Sequence, residues 1–245
     1  MVVNMVTAGS TKRPNPELSG GTTSRRSGPA AELSRDALVD HALDLADREG
    51  LDAVAIRRIA NDFGVTPMAL YWHVKNKDEL LDAMGDRVFE ALTVPPADGD
   101  WLEQVRAAVV SLVDALRRHP GAVDLAMPRV LISPPAQALA ERTLGLLRGA
   151  GFSVREASDL ARQALLTAMI LVTGRPGAAI DTPEPEREAK VRAKRAAVAT
   201  LPSDQFPNLI ACADALTDCD DEDQYYGGGI DLYVAGVKEL HASKR

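Results

Sequence analysis

The 245-residue chain is 46% hydrophobic but only 4% aromatic, and alanine, leucine and valine dominate its apolar residues. This composition excludes a chain disordered throughout and favours helices over sheets. Neither Cys212 nor Cys219 has a histidine or another cysteine at metal-ligand spacing, so we predict no metal, no disulfide framework and no cofactor. No apolar run is long enough to span a membrane and no secretory signal is recognisable, so we expect a cytoplasmic protein.

The net charge of −7 argues against a protein that coats nucleic acid, but the charge is unevenly distributed. Between Ala53 and Lys77, four basic residues stand against the single acid Asp62, whereas both flanking segments are acidic. Salt screens charges beyond about 10 Å, so a phosphate backbone responds to local charge. The segment is therefore the candidate for a nucleic-acid contact.

Residues 1–33 are rich in serine, threonine, glycine and proline and show no periodicity, which predicts a flexible N-terminal arm. Its bases outnumber its acids: Lys12, Arg13, Arg25 and Arg26 against Glu17 and Glu32. We interpret the arm first as an inert tail or a misassigned start. The alternative is a basic extension that reaches into a DNA minor groove.

Four helices are predicted in the segment that follows the arm. The first spans residues 34–50, with a serine cap and a glycine stop, and the second spans 55–63. Gly64 can adopt the left-handed conformation that ends the second helix, and a short third helix covers 67–73. Asn76 caps the fourth. Short helices joined by a glycine-containing turn are typical of a helix-turn-helix, although generic small helical domains contain such turns too.

Three stretches of this segment closely resemble the DNA-binding domain of the TetR family of bacterial transcriptional regulators. These stretches are Val54–Ala60, Gly64–Thr66 and Leu70–Lys77. A weaker resemblance, through Gly149–Ser153 and the last helix, points to the tetracycline-repressor type of C-terminal domain. The expected fold is all-α, with a three-helix helix-turn-helix DNA-binding domain at 34–92 and a larger helical ligand-binding and dimerisation domain at 98–245.

In a helix-turn-helix module the exposed start of the recognition helix can meet base edges in the major groove. The residues at that start are Thr66, Pro67, Met68 and Ala69. Arg57 is the strongest base-reading candidate, because a guanidinium can bind guanine O6 and N7 together. Arg58 would bind a phosphate or form a salt bridge to a nearby acid. All of these residues could instead form an ordinary helix start and solvent face.

Tyr71, Trp72 and His73 occupy consecutive helical positions, so they cannot all face the core. Leu70 and Val74, four residues apart, are expected to take the buried face. The resemblance implies that the three ring-bearing residues, together with Lys77, contact the DNA backbone, which positions the protein without reading sequence.

Five further helices are predicted in the C-terminal region, at 101–118, 135–148, 153–173, 182–199 and 222–241. The helix at 153–173 is apolar on nearly every side, so one face should meet its own domain and the other a partner subunit or a cavity. The last helix has apolar residues at alternating steps of four and three, typical of a helix–helix seam. By resemblance, the predicted dimer contacts are Ala157, Leu160, Ala164, Tyr226, Ile230, Tyr233 and Val237.

A mainly apolar set of residues with few polar groups predicts a hydrophobic, multi-ring or acyl ligand, unless these residues form an ordinary core. The set is Leu112, Leu125, Met127, Gln163, Leu166, Thr167, Met169 and Ile170. No catalytic constellation or phosphate loop is recognisable, so we expect no enzyme.

The resemblance implies a ligand-responsive regulator, most simply a repressor of efflux or biosynthesis genes. It would bind a palindromic double-stranded DNA operator as a homodimer, be released by a small hydrophobic molecule and have no membrane partner. The alternative is a helical dimer that does not bind DNA and acts as a scaffold or small-molecule-binding protein. Salt-sensitive binding to one specific duplex would separate these functions.

Overall fold

The computed structural model describes residues 33–96, 98–178, 182 and 184–244. The predicted arm lies outside the described residues except for Leu33. Within the described ranges the chain is helical without strands, and the all-α prediction is confirmed. The α-helices are α1 Arg35–Glu49, α2 Ile56–Phe63, α3 Pro67–Leu70, α4 Lys77–Glu90, α5 Trp101–Leu116, α6 Ala126–Arg129, α7 Pro134–Gly149, α8 Val154–Thr173, α9 Glu184–Ala199, α10 Pro207–Ala211, α11 Ala213–Thr217 and α12 Glu222–Ala242.

Side-chain caps begin the helices where the sequence predicts them. The Ser34 hydroxyl accepts a hydrogen bond from the Ala37 amide at 3.1 Å, and Asn76 Oδ1 accepts one from the Glu79 amide at 2.8 Å. Such caps satisfy donors that the first helical turn leaves without partners. The helix predicted at 67–73 is too long, however, because α3 ends at Leu70. The amides of His73 and Val74 both donate to the Leu70 carbonyl, which tightens the chain into turns.

Four short segments after α5 carry no predicted helix but are helical in the structure. They are the 3-10 helix Pro120–Leu125 with the adjoining α6, and the pair α10 and α11. Each has six residues or fewer, too short to show a hydrophobic period and too short to be stable alone.

A continuous core joins the N-terminal helices to α5, α7, α8 and α12. Its largest fully buried side chains in the N-terminal part are Leu38, Leu43, Leu45, Ile59, Leu70, Leu80, Met84 and Phe89. Because α3 contributes the fully buried Leu70, packing holds this four-residue helix in place. A second cluster includes Val105 of α5, Phe152 and Val237 of α12.

Two contacts connect the N-terminal helices to the C-terminal region. Asp47 of α1 accepts hydrogen bonds from His119 Nδ1 at 2.9 Å and from the Gly121 amide at 2.8 Å. Arg129 of α6 binds two acids of α4, Asp86 at 2.8 Å and Asp82 at 2.9 Å. No helix in the described ranges is both long enough and apolar enough to cross a bilayer.

The start of α8 is fixed by a capping box that also anchors the chain's C-terminal end. The Ser153 hydroxyl accepts from the Glu156 amide at 3.3 Å, and Glu156 Oε2 accepts from the Ser153 amide at 2.7 Å. Lys244 Nζ donates to both Glu156 carboxylate oxygens at 2.6 Å. This interaction, together with the hydrogen bond from the Ser153 amide, lowers the pKa of Glu156 to about 2.

We predict that Glu156→Gln changes how stability depends on pH. The folded-state pKa lies below the ordinary value of 4.5, so the stabilisation from ionised Glu156 is present above pH 4.5 and lost as the pH falls toward about 2. The variant should therefore unfold at a lower temperature than the wild type at neutral pH, and the two should converge in acid. Parallel curves of unfolding temperature against pH would contradict this.

Candidate nucleic-acid interface

The turn between α2 and α3 is fixed by backbone geometry. Gly64 has φ 68° and ψ 26°, the left-handed region that glycine adopts without a Cβ penalty. The Val65 amide donates to the Ala60 carbonyl at 2.9 Å, and the Gly64 amide donates to Asn61 at 3.1 Å. These two bonds form a Schellman motif, which satisfies the last carbonyls of α2. The chain therefore enters α3 in a defined direction.

The predicted inner face of the recognition segment is confirmed, because Leu70 and Val74 are both buried. At the start of α3, Thr66, Pro67 and Met68 are exposed, Met68 to 69%, and Ala69 is half-buried. Thr66 begins the helix without a side-chain capping bond, so its hydroxyl is available to an external partner. A base edge could therefore approach the first turn of α3 without displacing core residues.

The aromatic run faces outward, as its spacing predicts. Trp72 is 87% exposed and Tyr71 is 45% exposed, while His73 is half-buried. An indole this exposed removes little apolar surface from water, so folding does not account for its position. Its place beside the recognition helix suits contact with a nucleic-acid backbone, which stays a prediction.

Three cations of this surface are free to bind an external anion. Arg57, Lys75 and Lys77 are exposed, and none has an ion pair within the described ranges. The sequence-based set of contacts omits Lys75, although its charge alone could have indicated it. A phosphate backbone would meet these three unneutralised charges, whereas the remaining arginine of α2 is occupied.

Arg58 forms the salt bridge that the sequence analysis left as one of two possibilities. Its guanidinium binds Glu49 of α1 at 2.9 Å and Asp62 at 3.2 Å, and the hydrogen bond to Glu49 is the main cause that raises its pKa. His41 Nε2 lies 3.0 Å from Asp62 Oδ2. The hydrogen bond between His41 and Asp62, together with the positive charge of Arg58, lowers the pKa of Asp62. Arg58 therefore ties α2 to α1, and its contact with DNA stays a prediction.

An apolar cavity of about 50 Å³ lies between α5, α7 and α8. Of the predicted ligand residues it contains only Leu112, and the sequence analysis missed most of its lining. The other lining residues include Ala108, Leu139, Thr143, Ala161, Ala164 and Leu165. Ala161, Ala164 and Leu165 belong to the apolar helix α8, and of these three the sequence analysis names only Ala164, as a dimer contact.

The other predicted ligand residues lie away from this cavity, and their role in ligand binding stays a prediction. Gln163 and Thr167 line an outer groove that α8 shares with α12. Ile170 and Met127 are exposed, and Leu125, Leu166 and Met169 are half-buried away from the cavity wall. The reason is the 100° rotation per helical residue, which sends neighbouring apolar positions of α8 to different surfaces.

Five of the predicted dimer contacts have little exposed surface in the single protomer, and their role in a dimer stays a prediction. They are Ala157 and Ala164 of α8 and Tyr226, Ile230 and Val237 of α12, and α12 packs on α5 and α8.

Part of the α12 surface remains exposed. Leu232 is 77% exposed and Leu240 is 51% exposed, and both line the groove of about 340 Å³ between α12 and α8. Three residues of the predicted contact, Leu160, Tyr233 and Val237, also line it. An exposed apolar surface of this kind is typical of a protein–protein contact.

Comparison with known proteins matches both parts of the chain. Residues 38–84 match the family model of bacterial regulatory proteins of the tetR family, and residues 95–241 match that of the tetracyclin repressor-like C-terminal domain. The HTH-type transcriptional repressor DrrR1 of Streptomyces coeruleorubidus is 30% identical over 231 residues, covering 89% of this chain and 82% of DrrR1. Tetracycline repressor protein class D of Escherichia coli is 28% identical, with 85% and 90% covered.

Among solved structures, ActR of Streptomyces coelicolor in complex with actinorhodin superposes with a TM-score of 0.64 at 31% identity. The match covers 84% of this chain and 96% of ActR. Because the family models cover the helix-turn-helix and the helical C-terminal region alike, the chain belongs to the TetR family of bacterial transcriptional regulators.

Proposed function

We propose that this protein is a transcriptional repressor that binds a palindromic operator as a homodimer in the cytoplasm and is released by a small hydrophobic molecule. The observation that carries the proposal is an exposed recognition-helix start beside the unpaired Arg57, on a helix-turn-helix whose inner face is buried. The relationship to the repressor DrrR1 supports it. DNA binding is assigned to residues 34–92, and ligand binding with dimerisation to 98–245.

The DNA contact divides into reading and positioning. Arg57 and the first turn of α3, Thr66 to Ala69, would meet base edges in the major groove. Tyr71, Trp72, His73 and Lys77 would hold the phosphate backbone, with Lys75 as a further cation. In a two-fold dimer the two recognition helices must lie about 34 Å apart, one turn of the duplex.

The outer groove on α8 and α12 supports the homodimer. Two copies related by a two-fold axis would each bury the exposed Leu232 and Leu240 against the other copy's groove. Gly236 lines the same groove, and because a Cβ there would have no neighbour within 4 Å, this position would allow a partner helix to approach closely.

The apolar cavity supports a hydrophobic effector that changes the structure as it binds. Its volume of about 50 Å³ is far below the roughly 300–1,000 Å³ of sites for drug-sized molecules. A multi-ring ligand would therefore have to separate α5, α7 and α8. ActR, which superposes on this chain, binds actinorhodin, and a ligand of comparable chemistry is our proposal here.

The cavity wall indicates how its expansion would reach the DNA-binding helices. Leu92, just after α4, and Val130, just after α6, both line the cavity. Because Arg129 binds Asp82 and Asp86, α6 and α4 would move together when a ligand displaces Val130. A ligand preference of about 1–3 kcal/mol for the displaced form would lower DNA affinity roughly 5- to 150-fold.

We predict that Arg57→Ala weakens operator binding and leaves folding unchanged. Loss of a bidentate guanine contact costs about 1–3 kcal/mol, roughly 5- to 150-fold in affinity, and Arg57 makes no ion pair with described residues that folding would lose. Fluorescence anisotropy with a duplex selected in vitro, together with urea unfolding, measures both quantities.

The matched variant is Arg58→Ala, on the adjacent residue. It should lower the free energy of unfolding, because Glu49 and Asp62 lose their shared partner. The proposed roles, DNA contact for Arg57 and helix anchoring for Arg58, would be contradicted if both variants lost operator affinity equally and Arg58→Ala lost no stability. Absence of any sequence-specific, salt-dependent duplex binding would favour the scaffold alternative.

We predict that Ala108→Val prevents induction without preventing repression. The added carbons would occupy the cavity of about 50 Å³, while Ala108 is buried far from the recognition surface. Release of operator by actinorhodin or another multi-ring compound should need at least about tenfold more ligand.

Ala107→Val is the control, because it makes the same change at an exposed neighbour on α5. Both variants should bind operator with the wild-type affinity. Wild-type induction in Ala108→Val would place the effector elsewhere.

A further inference from the structure

A second concave site lies apart from the apolar cavity. Two adjoining cavities of about 540 and 430 Å³ share Arg175, Arg187 and Glu222. They lie between the end of α5, the segment after α8, α9 and the start of α12, and together we call them the arginine cleft. Neither cavity shares a lining residue with the apolar cavity, so the two sites are separate.

The arginine cleft is rich in guanidinium groups. Its arginines are Arg117, Arg118, Arg175, Arg187, Arg192 and Arg195. Its carboxylates are fewer: Asp47, Glu188, Asp218 and Glu222. Salt bridges to nearby acids neutralise Arg117, Arg175, Arg192 and Arg195, so anion binding depends on the guanidinium donors that these pairs leave over.

Several guanidinium donors of the cleft remain available to a ligand. Arg118 is exposed and has no ion pair with any described residue. Arg175 binds Glu222 at 2.8 Å, which uses part of its five donors, and its side chain is 22% exposed. A guanidinium binds a carboxylate most strongly through two parallel N–H···O bonds, and both Arg118 and Arg175 line the 540 Å³ cavity.

Beside these cations the 540 Å³ cavity has an apolar wall. It is formed by Pro120, Val172, Ala178 and the ring of Tyr226. Tyr226 is buried, its hydroxyl has no hydrogen-bond partner among the described residues, and burial raises its pKa, so it remains a neutral donor. Pro120 and Ala178 are the partly exposed part of this wall, whereas Val172 and Tyr226 are 3% and 6% exposed.

We propose that the arginine cleft binds a small aromatic carboxylate as a second ligand, at a site separate from the apolar cavity. The carboxylate would lie between Arg118 and Arg175, and the ring would pack on Pro120 and Ala178. The volume suits a molecule of one or two rings. Phosphate would satisfy the arginines equally well but would leave the apolar wall uncovered.

Isothermal titration of the full-length protein with 2-naphthoate tests the proposal, with 2-naphthalenemethanol as the neutral counterpart. Naphthoate should bind at least about tenfold more tightly than the alcohol and weaken as salt rises. Arg118→Gln and Arg175→Gln should each weaken it at least about fivefold. Arg155→Gln, an 89% exposed arginine at the far end of α8, should leave it unchanged.

Each other outcome overturns the proposal. Equal binding of the alcohol would show an apolar site, and tight inorganic phosphate binding without naphthoate binding would show a phosphate site. Loss of naphthoate binding in Ala108→Val would place the ligand in the apolar cavity. Unchanged binding in Arg118→Gln, which breaks no ion pair between described residues, overturns it even if Arg175→Gln does not fold. No DNA takes part, so these outcomes leave the repressor proposal untouched.

Discussion

The contact between α6 and α4 is the interaction on which the proposed signalling depends. The Arg129 side chain is only 13% exposed and bridges Asp82 and Asp86 of α4. Gly85 lies between these acids, and a Cβ there would come within 2.7 Å of Arg129 Cγ, so the helices approach more closely than a larger residue would allow. If Arg129 were removed, Asp82 and Asp86 would be left without an opposite charge at this contact. Helices held this closely move as a unit.

A second contact holds the other side of the same junction. A Cβ on Gly121 would lie 2.1 Å from the Ala46 carbonyl oxygen, so this 3-10 segment packs directly on the backbone of α1. Asp47 then fixes the segment through His119 and the Gly121 amide. Because both α1 and α4 are tied to the C-terminal region, rearrangement around the apolar cavity would, in the proposed mechanism, reorient the recognition helix.

Local signals in the sequence predicted most of the helix boundaries, and packing decided what they could not. Ser34, Asn76 and Ser153 mark helix starts because capping depends on nearby residues alone. The seam on α12 was recognised as apolar, but its spacing cannot tell whether a helix of the same chain or of a partner covers it. The Arg58 salt bridge likewise needed the three-dimensional approach of Glu49, which lies nine residues away across a turn.

Distance measurements between the two recognition segments of the proposed dimer test the central claim most directly. Spin labels on Lys75→Cys, in a background with Cys212→Ser and Cys219→Ser, report their separation by pulsed electron resonance without any ligand or DNA. With Arg129 intact, we predict one narrow distance distribution. Arg129→Met, which keeps the side-chain stem but removes the charge, should broaden or shift it. An identical distribution in the variant would contradict coupling through α6 and α4.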